Sequence, residues 1–215
     1  MAYAPETTAL LLVDPYNDFL SEGGKTWPRV KAIAEAVRLL DHLRALVAAA
    51  REKEMRVVFV PHRRHEPDDY LNWRYATPYQ RAGAQRQIFE RGTWGGSFHD
   101  DFQPRSGDIV AQEHWGSSGF ANTDLNVQLQ QAGIERVILV GMIANTCIEA
   151  TGRFAMELGY HVTLVRDATA AFTEEAMHAA HEINGPTYAH AITTTDELIA
   201  ELNAAQGVGG DATSQ

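Results

Sequence analysis

Residues 136–160 read RVILVGMIANTCIEATGRFAMELGY. The opening RVILVG is a short, continuous apolar and β-branched run, the pattern of a strand covered on both faces. After a turn, Ile148, Phe154, Ala155 and Leu158 mark a helical segment over 145–158, and Gly159 stands where a left-handed C-cap is wanted. A buried strand that turns into a helix is half of a βαβ unit. The only cysteine of the chain, Cys147, lies at the junction.

The same rhythm extends in both directions. Strand-like runs occupy 8–14 (TALLLVD), 55–61 (MRVVFVP), 108–113 (DIVAQE), 161–167 (HVTLVRD) and 191–195 (AITTT). From Trp27 to Lys53 the apolar residues Val30, Ile33, Ala34, Val37, Leu40, Leu43, Leu46 and Val47 recur at helical spacing, with Pro28 suited to the first turn. Further helices are expected at 123–133, 173–184 and 196–205, with Gly133 ending one of them. Such alternation predicts a three-layer α/β fold, a doubly wound parallel sheet of about six strands with helices on both faces. Residues 62–107, rich in Arg, Gly, Trp and Pro, break the rhythm and are expected to wrap over one end of the sheet. Residues 1–205 read as one domain, and 206–215 have the composition of a disordered tail.

Composition narrows the function classes. A length of 215 residues with 45% hydrophobic and 21% charged residues is ordinary for a globular domain. A formal charge of −10 argues against nucleic acid or an anionic membrane as partner and leaves a small molecule. A single cysteine fits a reducing, cytoplasmic setting, and neither a signal peptide nor a membrane-spanning run is expected. The loop DPYNDFLSEGG after the first strand has no G-x-G-x-x-G turn, against a dinucleotide-binding dehydrogenase.

In open parallel sheets, ligands bind beyond the carboxyl ends of the strands. Those ends carry Asp14, His62, the stretch Gln112 to His114, and the loop from Gly141 to Cys147. At the start of a helix the dipole and free amides lower a thiol's pKa and hold an oxyanion. Asp14, closing a buried strand, is a carboxylate suited to take a proton from that thiol. The plain alternative is an inert core cysteine.

Four segments bear on that choice: ALLLVDPYNDFL (9–20), SSGFANTDL (117–125), GMIANTC (141–147) and HVTLVRDATAAF (161–172). In this order they resemble the isochorismatase-like, or cysteine, hydrolases, and the resemblance runs from about Thr8 to Leu202. It implies that Cys147 is a nucleophile and Asp14 its base. It also implies a cis peptide between Met142 and Ile143, an oxyanion hole from the Ile143 and Cys147 amides, no organic cofactor, and a homodimer or homotetramer. The implied reaction is cleavage of a carbon–nitrogen bond in a small amide. Vinyl ether hydrolysis without covalent catalysis and a catalytically impaired binding protein are the alternatives.

The family's catalytic lysine, expected at the end of the third strand, is missing. The three lysines are Lys25, Lys31 and Lys53, and the corresponding sequence is AQEHW (111–115) with one extra residue. The position aligns to Gln112 or Glu113, with His114 one step on. Strict strand alternation puts Gln112 and His114 on one face and Glu113 on the other. Glu113 is the expected positional substitute and third catalytic residue, against an alternative in which it pairs with an arginine of 62–107. His114, if protonated, is the other source of a cation. Phe19, Gln112, His114, Trp115 and Phe172 are the candidate substrate-binding residues. Trp73 and Trp94 are expected to bury the excursion or a subunit contact. His62, His65 and Asp68 are closely spaced, but the D-x-H spacing of zinc-binding nicotinamidases is absent, so no metal is expected.

Overall fold

The computed structural model describes residues 3–204. The expected tail at 206–215 lies outside these residues. Six parallel strands, β1 (Thr8–Val13), β2 (Arg56–Val60), β3 (Ile109–Val110), β4 (Arg136–Met142), β5 (His161–Ala170) and β6 (Ala191–Thr193), form one sheet in the order β3-β2-β1-β4-β5-β6. The connections run outward from β1 in one half and from β4 in the other. The crevice where the order reverses therefore lies between the carboxyl ends of β1 and β4.

All six residues of β1 are buried, which explains why its sequence is unbroken rather than alternating. Leu10 and Leu12 pack into one core cluster, while Ala9, Leu11 and Val13 pack into the cluster on the opposite face. Each fully buried leucine contributes about 1.5–3 kcal/mol from transfer alone.

The helices are α1 (Asn17–Leu20), α2 (Trp27–Ala36), α3 (Leu39–Glu52), α4 (Pro78–Gln85), α5 (Leu125–Gln131), α6 (Glu149–Glu157), α7 (Glu174–His178) and α8 (Thr195–Ala204). Residues of α2, α3 and α8 cover the Leu10 face, and residues of α5 and α6 cover the Leu11 face. The long helix expected at 27–53 is two helices, because Arg38 takes a left-handed conformation with φ of 51° and ends the first. The helix expected at 173–184 stops at His178 and continues as a π-helical turn, Ala179–Asn184. Gly133 and Gly159 have φ of +70° and +92° after α5 and α6, as the C-cap reading requires.

The excursion 62–107 is tied down by the loop after β1. Asn17 donates to the Trp94 carbonyl at 2.9 Å, and the buried Asp18 carboxylate accepts the amides of Lys25 at 2.8 Å and Phe89 at 2.7 Å. The DPYND stretch thus fixes both the excursion and the start of α2 relative to Asp14. The excursion also contains α4, a helix beyond those expected from apolar spacing. Its signal was present: Thr77 and Gln80 form a capping box, with Pro78 at the first helical position.

Candidate active site

Asp14 is the first residue beyond β1. Its backbone has φ of 52°, and its amide donates to the Val60 carbonyl at 3.0 Å. Aspartate tolerates the left-handed region better than most residues. Across the crevice, Gly141 ends the β1–β4 pairing opposite Val13. Its φ is +112°, and a Cβ there would collide with the Val13 carbonyl oxygen. Only glycine lets β4 approach β1 this closely.

The Met142–Ile143 peptide is cis. Next comes a π-helical turn, Ala144–Ile148, closed by the Ile148 amide on the Ile143 carbonyl at 3.2 Å, and then α6. Cys147 therefore lies in the turn ahead of the helix, and π-turns of this kind are frequent at functional sites. The segment 117–125 braces the elbow: the Gly119 amide donates to Thr151 of α6 at 2.9 Å.

Three side chains from three strand ends converge here. One ligand-type atom each of Asp14, His114 and Cys147 lies within 4.8 Å of the others, and all three residues are buried. His114 Nε2 is 3.1 Å from Asp14 Oδ1, and His114 Nδ1 is 2.9 Å from the Gly116 carbonyl oxygen. Both ring nitrogens face acceptors, an arrangement satisfied fully only when both carry hydrogen, as in imidazolium. Burial by itself pushes the His114 pKa down. The Asp14 charge, the hydrogen bonds to Asp14 and Gly116, and Glu113 outweigh it, so the pKa is raised above 6.5. Asp14 Oδ2 is buried with no hydrogen-bond partner.

The expectation of a lowered thiol pKa at Cys147 is overturned. Burial, and then the Asp14 charge, push the thiol well above its ordinary value, against smaller opposing hydrogen bonds from Thr146 and the Ile143 amide. The thiol sits too deep, at 8% exposure, for the start of a helix to stabilise a free thiolate.

Glu113 is not beside Asp14. Its carboxylate receives Arg64 Nε at 2.6 Å, Arg91 at 2.8 Å and the Arg64 amide at 3.1 Å, with Arg63 at 3.7 Å. The physical reason is a one-residue bulge. The β2–β3 register pairs Val58 with Ile109 and Phe59 with Val110, an offset that would set residue 113 opposite His62. The bridge actually formed is His62 with His114. Between the Ala111 amide on the Phe59 carbonyl and the His114 amide on the Pro61 carbonyl, one strand advances three residues and the other two. The extra residue of AQEHW is this bulge, and it moves His114 into the place expected for Glu113.

The other candidates fall outside this cluster to differing degrees. Gln112 is exposed, with its amide bonded to Asp124 at 2.7 Å, because the bulge turns it out. Phe19 is buried in the core, its ring edge-on to Phe89 with centroids 4.7 Å apart. Trp115 packs against Trp73 at 5.4 Å and under the Arg63 guanidinium at 4.5 Å. Trp94 is 52% exposed. Phe172, just beyond β5, is half-buried beneath the Arg29 guanidinium. Among the described residues, His62, His65 and Asp68 do not gather their ligand atoms. His62 instead packs edge-on to His114 at 5.0 Å, with its pKa lowered by burial and then by His114. Tyr79 of α4 was missed. Its phenol pKa is pushed up to about 12, by burial first and then by Cys147 and Asp14.

A doubly wound parallel sheet with a thiol at a strand-to-helix elbow and a buried carboxylate at the switch point has the layout of a hydrolase built on an open α/β sheet. Comparison with known proteins agrees. A family model described as the Isochorismatase domain matches residues 8–196. An uncharacterized isochorismatase family protein of Bacillus subtilis is 33% identical over 169 residues, 78% of this chain and 79% of that protein. A ureidoacrylate amidohydrolase of Serratia proteamaculans is 29% identical over 181 residues, 79% of this chain and 72% of that protein. The solved N-carbamoylsarcosine amidase of Thermoplasma acidophilum superposes with a TM-score of 0.68 at 26% identity, covering 88% of this chain and 97% of that one. A cysteine hydrolase of Pseudomonas syringae pv. phaseolicola shares the fold, with a TM-score of 0.76 at 24% identity, over 95% and 96% of the two chains. The chain belongs to the isochorismatase family and is a hydrolase. Among the described residues, no helix is long and apolar enough to cross a membrane.

Proposed function

We propose that the chain hydrolyses a carbon–nitrogen bond in a small amide or ureide, with Cys147 as nucleophile, Asp14 as base and His114 in the role of the missing lysine. The observation that carries this reading is the His114 ring, held between the Asp14 carboxylate at 3.1 Å and the Gly116 carbonyl at 2.9 Å. That geometry, with the His114 pKa raised by the Asp14 charge, favours a cation against Asp14 in a buried site. The thiol rests neutral, so its proton passes to Asp14 as the sulfur attacks the carbonyl carbon. The developing oxyanion is met by the amides of Ile143 and Cys147, with the imidazolium beside them. The C–N bond then breaks, the amine leaves with the proton from Asp14, and water cleaves the thioester with Asp14 again as base. The two relatives named for amide-type substrates support the bond type.

The test combines ammonia release from a panel of small primary amides and ureides with intact-mass analysis of quenched enzyme. A substrate that releases ammonia and leaves an acyl adduct on Cys147 is expected. Turnover that survives Cys147→Ala rejects the covalent route.

The reading includes a homo-oligomer in a reducing, cytoplasmic setting. Leu71 at 73%, Trp73 at 42% and Tyr75 at 79% exposure place large apolar side chains on one stretch of the excursion, as a subunit contact would. Light scattering on the purified full chain tests the assembly.

A further inference from the structure

The three side chains that converge at the strand ends are also a set of metal ligands. Asp14, His114 and Cys147 offer a carboxylate oxygen, an imidazole nitrogen and a sulfur, and one such atom from each lies within 4.8 Å of the other two. Around a tetrahedral zinc ion, with bonds of about 2.0–2.3 Å, such ligand atoms stand about 3.4–3.6 Å apart. His114 Nε2 and Asp14 Oδ1 stand 3.1 Å apart, so the spacings of the cluster straddle those that zinc requires. The backbone holds the ligands in place. The Asp14 amide donates to the Val60 carbonyl at 3.0 Å, the His114 amide to the Pro61 carbonyl at 2.9 Å, and the Ile148 amide, next to Cys147, to the Ile143 carbonyl at 3.2 Å.

Two further observations prepare the cluster for a cation. His114 Nδ1 lies 2.9 Å from the Gly116 carbonyl oxygen, and a ligating histidine characteristically donates its second N–H to such an acceptor. That bond keeps a hydrogen on Nδ1, so Nε2, the atom turned toward Asp14, is the one that can present a lone pair. Asp14 Oδ2 is buried with no hydrogen-bond partner, in a residue with no exposed surface. A buried carboxylate oxygen left unsatisfied is costly, and a metal ion is a partner that suits it.

The lysine expected from the family resemblance could not serve in this way. An ammonium has no lone pair and repels a cation, whereas the bulge before His114 brings an imidazole to that strand end. The charges also balance. The two positive charges of the ion meet a carboxylate and a thiolate, with the imidazole neutral, so a neutral assembly is buried. Coordination releases the thiol proton, and any hydrogen on Nε2, to solvent. One sulfur, one nitrogen and one oxygen, with a fourth corner open to water, form a donor set of the zinc type.

We propose that Asp14, His114 and Cys147 bind a zinc ion, and that the ion and the substrate compete for the Cys147 sulfur. The hydrolytic form and the zinc form are exclusive states of one cluster, and the zinc form does not depend on turnover of an amide. His65 and Asp68 lie outside this ligand set, and His62 meets it only through its ring, edge-on to His114 at 5.0 Å.

The test titrates Zn²⁺ into the reduced, chelator-stripped and tag-free full chain by calorimetry, with Co²⁺ as a spectroscopic probe. Saturation at a single Zn²⁺ per chain is expected, and the Co²⁺ form should show a sulfur-to-cobalt charge-transfer band. Alkylation of Cys147 by iodoacetamide should remove that band, and bound zinc should in turn slow the alkylation. Cys147→Ser and His114→Gln should each weaken zinc binding at least about 100-fold, the upper end of what losing even a supporting group costs. His65→Gln should leave the affinity unchanged. The cobalt band is read on the unaltered chain, so a variant that fails to fold does not remove the test. No saturable binding, a Co²⁺ form without the sulfur band, or zinc affinity that survives both cluster substitutions overturns the proposal. Where an amide is cleaved, zinc should inhibit and a chelator should restore the rate. Full activity at saturating zinc overturns the competition while leaving the hydrolase reading intact.

Discussion

Two carboxylates near the carboxyl end of the sheet show how differently a protein can treat one functional group. Glu113 lies among Arg63, Arg64 and Arg91 and also accepts a backbone amide. Asp14 is fully buried, faces the His114 imidazole and the Cys147 thiol, and has one oxygen with no hydrogen-bond partner within bonding distance. A carboxylate neutralised on every side organises chain and moves no proton, because each acceptor site is occupied by a fixed cation or amide. One with an open oxygen beside a thiol is arranged for transfer. The chemical difference lies in the partners, since both residues are acids at strand ends.

That contrast can be broken experimentally, and the largest effect is expected at Asp14. Asp14→Asn keeps the shape but removes the proposed proton acceptor, and kcat/KM for an accepted amide should fall about 10²–10⁴-fold. A loss under tenfold would mean that Asp14 does not take the thiol proton. His114→Gln comes next, with an expected loss of about 10²–10³-fold from the missing positive charge. His114→Lys, which restores a cation at the same strand end, should recover activity where Gln does not. The pH profile sharpens this. The His114 pKa is raised above 6.5, so its charge, and the stability it lends, are complete below about pH 6.5 and are lost as pH rises through the folded value. Activity and denaturant stability should both decline on the alkaline side, and His114→Gln should flatten that part of the stability curve.

Glu113 supplies the other arm. Glu113→Gln should leave kcat/KM within about threefold while lowering the urea-derived unfolding free energy by about 1–3 kcal/mol, as three arginines lose their shared partner. A loss of activity as large as that of Asp14→Asn would return Glu113 to the site. Gly141→Ala probes the crevice itself. With φ at +112° and the Val13 carbonyl in the way, it should destabilise the fold by about 2 kcal/mol or more.

Most of the fold was legible because buried strands announce themselves as apolar runs, and all six expected runs contain strands. Asp14 and Cys147 were legible because each stands next to such a run. The third member of the cluster was not, since alternation assumes a regular strand and β3 is regular only over Ile109–Val110. A bulge has no fixed residue signature, so the extra residue was countable but its placement was not. Arg38 is similar: neither Gly nor Pro marks the point where α2 gives way to α3. The lowered thiol pKa failed for another reason. The sequence shows that Cys147 begins a helix but not that it lies 8% exposed against Asp14, and burial decides the sign. Tyr79 was hidden because α4 lies inside the excursion that breaks the strand–helix rhythm, although its capping box stands in the sequence.

The bulge before His114 works as a selector. Gln112, Glu113 and His114 point respectively into solvent, into an arginine cluster and into the crevice, and one added or deleted residue upstream would rotate that assignment by one place. A single codon insertion can thus exchange the group presented to Asp14 without altering any side chain already there. Column-by-column sequence matching is blind to such an exchange, and a designer could use it to offer this site an amide, an acid or an imidazole in turn.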